Sequence, residues 1–174
     1  MSFKKYQQYP IVQNFKREWA DKTITHAPIY CSVDLRDGNQ ALINPLTVEQ
    51  KLEYFKALVK MGFKQIEVSY PSASDTDFNF TRKLIEEDLV PDDVAIQILI
   101  PAKKEWIKKS VEAMSEVKNG IFHLYNPTNE FQRRVVFQKS DDEIIQMAIE
   151  AMQYLVELTK DFKGKVTYQY SPES

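Results

Sequence analysis

The chain has 174 residues, 43% of them hydrophobic and 28% charged, an ordinary soluble composition with length enough for one domain and a real core. Its net charge of -2 gives no electrostatic reason to expect nucleic acid or an anionic membrane as partner. No apolar stretch approaches the roughly 20 residues that span a bilayer. The lone Cys31 and an N-terminus without the apolar run of a signal peptide suit a reducing cytoplasm.

Residues 1–28 read as an arm rich in aromatics (Phe3, Tyr6, Tyr9, Phe15, Trp19), expected to pack on the domain or on a partner chain. A rhythm then begins and fills residues 29–174. The apolar run 29–35 predicts a buried strand, and Thr47-Val48-Glu49-Gln50 a capping box opening a helix over 48–61, with Val48, Leu52, Phe55 and Val59 inward and Gly62 ending it. A strand over 64–69, a helix over 75–88 (Phe78, Thr81, Leu84 and Ile85 inward) and a strand over 94–100 follow. A helix over 102–118 faces inward with Trp106, Ser110, Ala113 and Val117, and Asn119-Gly120 closes it before a strand over 121–125. The loop 126–139 carries Arg133 and Arg134. Ser140-Asp141-Asp142-Glu143 is a second capping box, opening a helix over 141–161 with Ile145, Ala148, Met152, Leu155 and Thr159 inward, and a last strand spans 165–170.

This unbroken β-α alternation predicts an α/β fold with a parallel sheet. No glycine-rich phosphate loop follows the first strand, which removes the main signature of a dinucleotide fold. Five strands and four helices are too few for a (β/α)8 TIM barrel of about 250 residues, so a partial barrel is expected, a segment or a shortened relative of one. Strand parity locates a site. Ile66 and Val68 face one way, Glu67 and Ser69 the other; Val166, Tyr168 and Tyr170 oppose Gln169, Ser171 and Glu173. The apolar parity suits helix packing, and the polar parity then faces the barrel interior, where polar groups are buried only at a cost. Strand exits are where chemistry sits in such folds. The candidates are Asp34, Arg36 and Asp37 after the first strand, Glu67, Ser69 and Gln97 on the next two, His123 and Asn126 on the fourth, and Ser171 and Glu173 on the fifth. Each has a plainer reading: Asp34–Gly38 as a turn with an Asp–Arg pair, Glu67 as a core ion pair, Gln97 as a backbone partner, His123 as a satisfied core histidine, and Tyr125 and Tyr170 as packing. Asp37 can supply one ligand to a hard divalent cation, Arg36 can stabilise a developing oxyanion, and Glu173 can act as acid or base. The residues contain no His-x-His, and no Ser–His–acid or Cys–His arrangement can be read from the sequence.

The segments Ala27-Pro28-Ile29-Tyr30-Cys31-Ser32-Val33-Asp34-Leu35-Arg36-Asp37-Gly38-Asn39-Gln40, Ile66-Glu67-Val68-Ser69-Tyr70-Pro71-Ser72-Ala73-Ser74 with Thr76-Asp77-Phe78, His123-Leu124-Tyr125-Asn126-Pro127-Thr128, Gln132-Arg133-Arg134-Val135-Val136-Phe137 and Tyr170-Ser171-Pro172-Glu173-Ser174 occur in this order over nearly the whole chain. Together they resemble the 2-isopropylmalate synthase family. The resemblance implies the N-terminal part of a metallolyase-type catalytic barrel and a Claisen-type condensation of acetyl-CoA with 2-oxoisovalerate on a divalent metal (Mg, Mn or Zn), in leucine biosynthesis, by a cytoplasmic homodimer. By the same resemblance Asp37 matches a metal ligand, Arg36 and Glu173 match catalytic positions, and His123, Ser171 and Glu67 match substrate-binding ones. The family's other metal ligands, a His-x-His pair and an asparagine, have no counterpart in these residues, so the segment alone is expected to be inactive. Pro101-Ala102-Lys103 stands where the family has Gln-x-Arg, and Ala20 follows Trp19 where the family has Arg-x-Trp-Pro. Two other readings stay open: a non-catalytic half-barrel that pairs with itself or another chain to cover its edges, and a related acyl-CoA synthase or lyase.

Overall fold

The computed structural model describes residues 25–174, so all but the last four residues of the expected arm, and the packing expected of it, lie outside the described residues. The elements are β1 (Cys31–Ser32), α1 (Val48–Met61), β2 (Gln65–Ser69), α2 (Asp75–Glu86), β3 (Ala95–Pro101), α3 (Lys104–Ala113), β4 (Asn119–Pro127), α4 (Asp141–Thr159) and β5 (Lys165–Glu173). All neighbouring strands are parallel, in the order β1-β2-β3-β4-β5. An order that never reverses keeps successive crossover helices on one face and leaves the other to become a barrel interior; a doubly wound sheet would switch direction. The fold is therefore α/β, a five-stranded part of a barrel.

The helices begin where the sequence places their caps. Thr47 and Gln50, and Ser140 and Glu143, form reciprocal capping boxes on α1 and α4. Gly62 ends α1 at φ 97°, a conformation that costs glycine no Cβ clash. Between sheet and helices lies one core containing Leu35, Phe55, Leu58, Ile66, Phe80, Leu84, Ile96, Ile98, Ile100, Ile107, Phe122, Leu124 and Leu155. Each such side chain contributes about 1.5–3 kcal/mol on burial. The even-numbered residues of β3 and β4 supply this core, while the odd positions Gln97, His123 and Tyr125 belong to the opposite face, as the parity predicts.

Four expectations are corrected. The first strand is two residues long, and Ile29 and Tyr30, expected in a buried run, are 70% and 72% exposed. The chain leaves the sheet early because the backbone N–H groups of Arg36, Asp37 and Gly38 converge on the Val33 carbonyl, winding Asp34–Gly38 into a π-helical turn. The third helix stops at Ala113 rather than continuing to 118: Glu116 adopts φ 66°, and Asn119 and Gly120 open β4 instead of closing the helix. On α4 the inward residue is Ile144, leaving Ile145 57% exposed, because the 3.6-residue period from Ala151 and Leu155 lands there. Within the 126–139 loop, Gln132–Phe137 form a second π-helical turn.

Candidate active site

Glu67 is the hub. It is fully buried in the middle of β2, and donors reach its two carboxylate oxygens from three other segments. Arg36 Nε, carried in by the π-helical turn after β1, donates to Oε1 at 2.5 Å. His123 Nδ1 from β4 lies 2.7 Å from Oε2, and Gln97 Nε2 from β3 donates to the same oxygen. The 3.2 Å approach of Gln97 Nε2 to His123 Nδ1 is then a separation between two donors, not a hydrogen bond. Burial alone would raise the Glu67 pKa. The hydrogen bonds from His123 and Gln97, with the positive charge of Arg36, outweigh it and hold the carboxyl below its ordinary range. Glu67 is thus a carboxylate, which accepts only, so His123 carries its proton on Nδ1.

In the neutral imidazole the other nitrogen must accept, and His123 Nε2 sits 2.7 Å from Ser171 Oγ on β5. The result is a Ser171–His123–Glu67 relay spanning β5, β4 and β2, which sequence spacing did not reveal. Its geometry matches a hydroxyl oriented by an imidazole and an acid. A nucleophilic serine also needs oxyanion donors beside it. The charged donor of the cluster, Arg36, is instead committed to Glu67 and, through NH1, to Asp37 Oδ1 at 2.7 Å. The relay therefore orients the Ser171 hydroxyl and fixes the histidine tautomer.

Of the sequence-predicted residues, Arg36, Asp37, Glu67, Gln97, His123 and Ser171 form one connected network. Glu67, expected as a substrate contact, has both oxygens taken and holds its neighbours in place. Glu173, at the end of β5, pairs through its backbone with Thr128, and its charge lies close enough to contribute to a raised Tyr70 phenol pKa, in which burial is the first cause. Three candidates lie elsewhere. Asp34 accepts from Ser32 Oγ at the end of β1, Asn126 accepts from the Tyr170 hydroxyl, and Ser69 meets Thr81 on α2, across the sheet from the network. Ser69 departs from simple alternation because β2 shifts register between Glu67 and Ser69. Tyr125, read from sequence as packing, and Tyr70 face each other edge-on with their hydroxyls 3.4 Å apart. Tyr125 also lines a cleft of about 340 Å³ with Lys103, Trp106, Phe137 and Met147. Among the described residues no group of three or more His, Cys, Asp or Glu side chains is placed to hold a metal ion. Asp37, its side chain 59% exposed and one oxygen on Arg36, is a single donor where a catalytic ion needs about three. The described residues thus do not make a metal centre by themselves.

A sequentially ordered parallel sheet with a buried carboxylate–arginine–histidine network on its interior face places the chain in the class of α/β barrel segments. The HMGL-like family model matches residues 27–174, and the chain belongs to that family. It is 51% identical over 177 residues to the 2-isopropylmalate synthase of Clostridium acetobutylicum, covering all of this chain and 32% of that protein. It is also 51% identical over 176 residues to the synthase of Helicobacter hepaticus, with the same coverage, and 47% identical over 170 residues to that of Agrobacterium fabrum, covering 98% of this chain and 30% of the relative. The chain thus spans about a third of the length of these curated relatives. Its fold is similar to an HMG-CoA lyase from Acenitobacter baumannii solved with coenzyme A and 3-methylmalate, at TM-score 0.57 and 17% identity over 80% of this chain and 43% of that one. No helix of the described residues is long and apolar enough to cross a membrane.

Proposed function

We propose that this chain supplies part of the active site of a 2-isopropylmalate synthase, which joins the acetyl carbon of acetyl-CoA to the keto carbon of 2-oxoisovalerate in a Claisen-type condensation. The observation that carries the reading is the network of Arg36, Glu67, His123 and Ser171. It runs along the interior face of the sheet, from mid-strand Glu67 and His123 to Arg36 and Ser171 nearer the strand exits, in a chain about half identical to curated synthases over its whole length. Arg36, held by Glu67, offers a fixed cation where negative charge develops on the keto oxygen. The Glu67–His123–Ser171 chain uses both imidazole nitrogens and the Ser171 proton, so it fixes the Ser171 oxygen with its lone pairs free to accept from a substrate or water hydrogen, and His123 and Ser171 are assigned to the substrate pocket. Glu173, whose charge reaches the Tyr70 phenol, is assigned the proton exchange. Asp37 is assigned as one ligand of the divalent cation the resemblance implies. We place the enzyme in the cytoplasm as a homodimer, with the present residues inactive by themselves.

The test uses two proteins. The purified chain, given acetyl-CoA, 2-oxoisovalerate and Mg, Mn or Zn, is expected to release no coenzyme A thiol. A hybrid in which this chain replaces the matching third of the Clostridium acetobutylicum relative is expected to form 2-isopropylmalate, and to lose that activity with Arg36→Gln. A folded hybrid that binds 2-oxoisovalerate no better than its R36Q variant and makes no product removes the proposal.

A further inference from the structure

Lys51 is a charged side chain that the helical pattern of α1 places on the apolar face, between Val48 and Phe55, and it is fully buried. Its Nζ donates to Asp77 Oδ1 at 2.5 Å and to the Val68 carbonyl at 3.2 Å, and lies 5.2 Å from the centre of the Phe80 ring. Asp77 Oδ2 accepts the backbone N–H of Tyr70 at 2.8 Å, and its own N–H donates to the α2 cap Ser74. The pair therefore grips two backbone groups, the carbonyl of residue 68 within the register shift of β2 and the N–H of residue 70 just past it. Those groups need side-chain partners because β1 pairs with β2 only at Gln65 and Ile66, so beyond Ile66 one edge of β2 has no strand beside it. Buried orphan carbonyl and N–H groups are costly.

The position of the grip matters more than its energy. Exchanging a buried ion pair for well-packed apolar groups is often neutral for stability, so what this pair supplies beyond burial is the hold on two backbone groups that apolar side chains could not satisfy. What is held is the bulge itself. It leaves Glu67 facing the barrel interior, sends Ser69 to Thr81 on α2, and returns Tyr70 to Tyr125 at the rim. From these contacts, the geometry points to Lys51 and Asp77 as positioning residues that hold the β2 bulge, and through it set Glu67 for Arg36 and His123, and Tyr70 for Tyr125. The inference rests on the network being the site, yet its test reads hydrogen bonds in the full chain and needs no turnover, so the two readings fail separately.

The experiment is proton–nitrogen NMR on the full chain, following the Tyr70 amide and the Arg36 Nε–H. In the parent both are expected to exchange slowly with solvent. In the K51M/D77L double variant, which removes both charges of the pair together, both are expected to exchange at least about ten-fold faster, while the Phe122 and Leu155 amides stay within about two-fold of the parent. D77N, isosteric with the parent, is read at the same two signals where the double variant does not fold. K51R, which keeps the cation, is expected to preserve the Arg36 signal. A folded K51M/D77L or D77N chain in which Arg36 Nε–H exchange is unchanged overturns the inference. So does a parent whose Tyr70 amide exchanges as fast as the exposed loop amide of Asn44.

Discussion

Replacing Glu67 by Gln keeps the volume of the hub and removes its charge. The change leaves the Arg36 guanidinium, whose side chain is only 14% exposed, without the carboxylate that accepts from Nε at 2.5 Å. It also sets an NH2 group against a site where Gln97 and His123 already donate. Removing one partner of a buried ion pair costs ~3–5 kcal/mol. Because one amide oxygen still accepts and Arg36 retains its bond to Asp37, the lower end, ~3 kcal/mol, is expected. For a chain of this size that is a fall of roughly 6–12 °C in Tm. The pH dependence sharpens the test. The Glu67 carboxyl lies below its ordinary 4.5 in the fold, so the unfolded chain takes up its proton first as pH falls. The contribution of the carboxylate is therefore full above that ordinary value and lost as pH falls through the depressed one. The assay is thermal unfolding by circular dichroism from pH 7 to pH 3 on the parent and Glu67→Gln. The gap between them is expected to close below the ordinary carboxylate range. A loss under about 2 °C at pH 7, or a gap that stays constant on acidification, refutes the reasoning.

Two further outcomes follow from single contacts. A Cβ at Gly164 would lie 1.9 Å from the Val117 carbonyl oxygen and 2.8 Å from that of Lys118, both backbone, at the turn where Lys165 N–H begins the β4–β5 pairing. Gly164→Ala is expected to lower stability by about 1–3 kcal/mol or more, read as the urea midpoint, and an unchanged midpoint counts against the structure of that turn. Burial, reinforced by the charge of Glu67, pushes the Cys31 thiol up to about 11 from 9.0. The folded chain should then react with iodoacetamide at pH 8 on the order of 100-fold more slowly than the urea-unfolded chain, since the thiolate is the nucleophile. Equal rates would show that Cys31 lies in no such environment.

The sequence was most legible where the chemistry is local. The capping boxes at Thr47 and Ser140 satisfy helix N–H groups three residues away, so they can be read before any fold is known. Alternation on β3 and β4 placed Gln97 and His123 on the interior face for the same reason. Reading failed where a neighbour decides. Ile29 and Tyr30 belong to an apolar run, yet β1 ends early because Val33 collects the N–H groups of the turn behind it. Ser69 obeys period two until the bulge reverses it. Lys51 left a visible signal, a lysine on an apolar helix stripe, and Asp77 stood within a quoted motif. Their partnership joins residues 26 positions apart and became visible only when α1 and α2 packed on β2.

By itself the sequence determined the α/β rhythm, the helix starts, the family resemblance and the residue types at the strand exits, because these depend on periodicity and short-range hydrogen bonding. The tertiary structure decided which of those residues meet. Glu67 became a hub because three other segments bring donors to one buried carboxylate, and burial obliges it to be satisfied. That convergence fixes the proton of His123 on Nδ1 and turns Ser171, 48 residues away in sequence, into its partner.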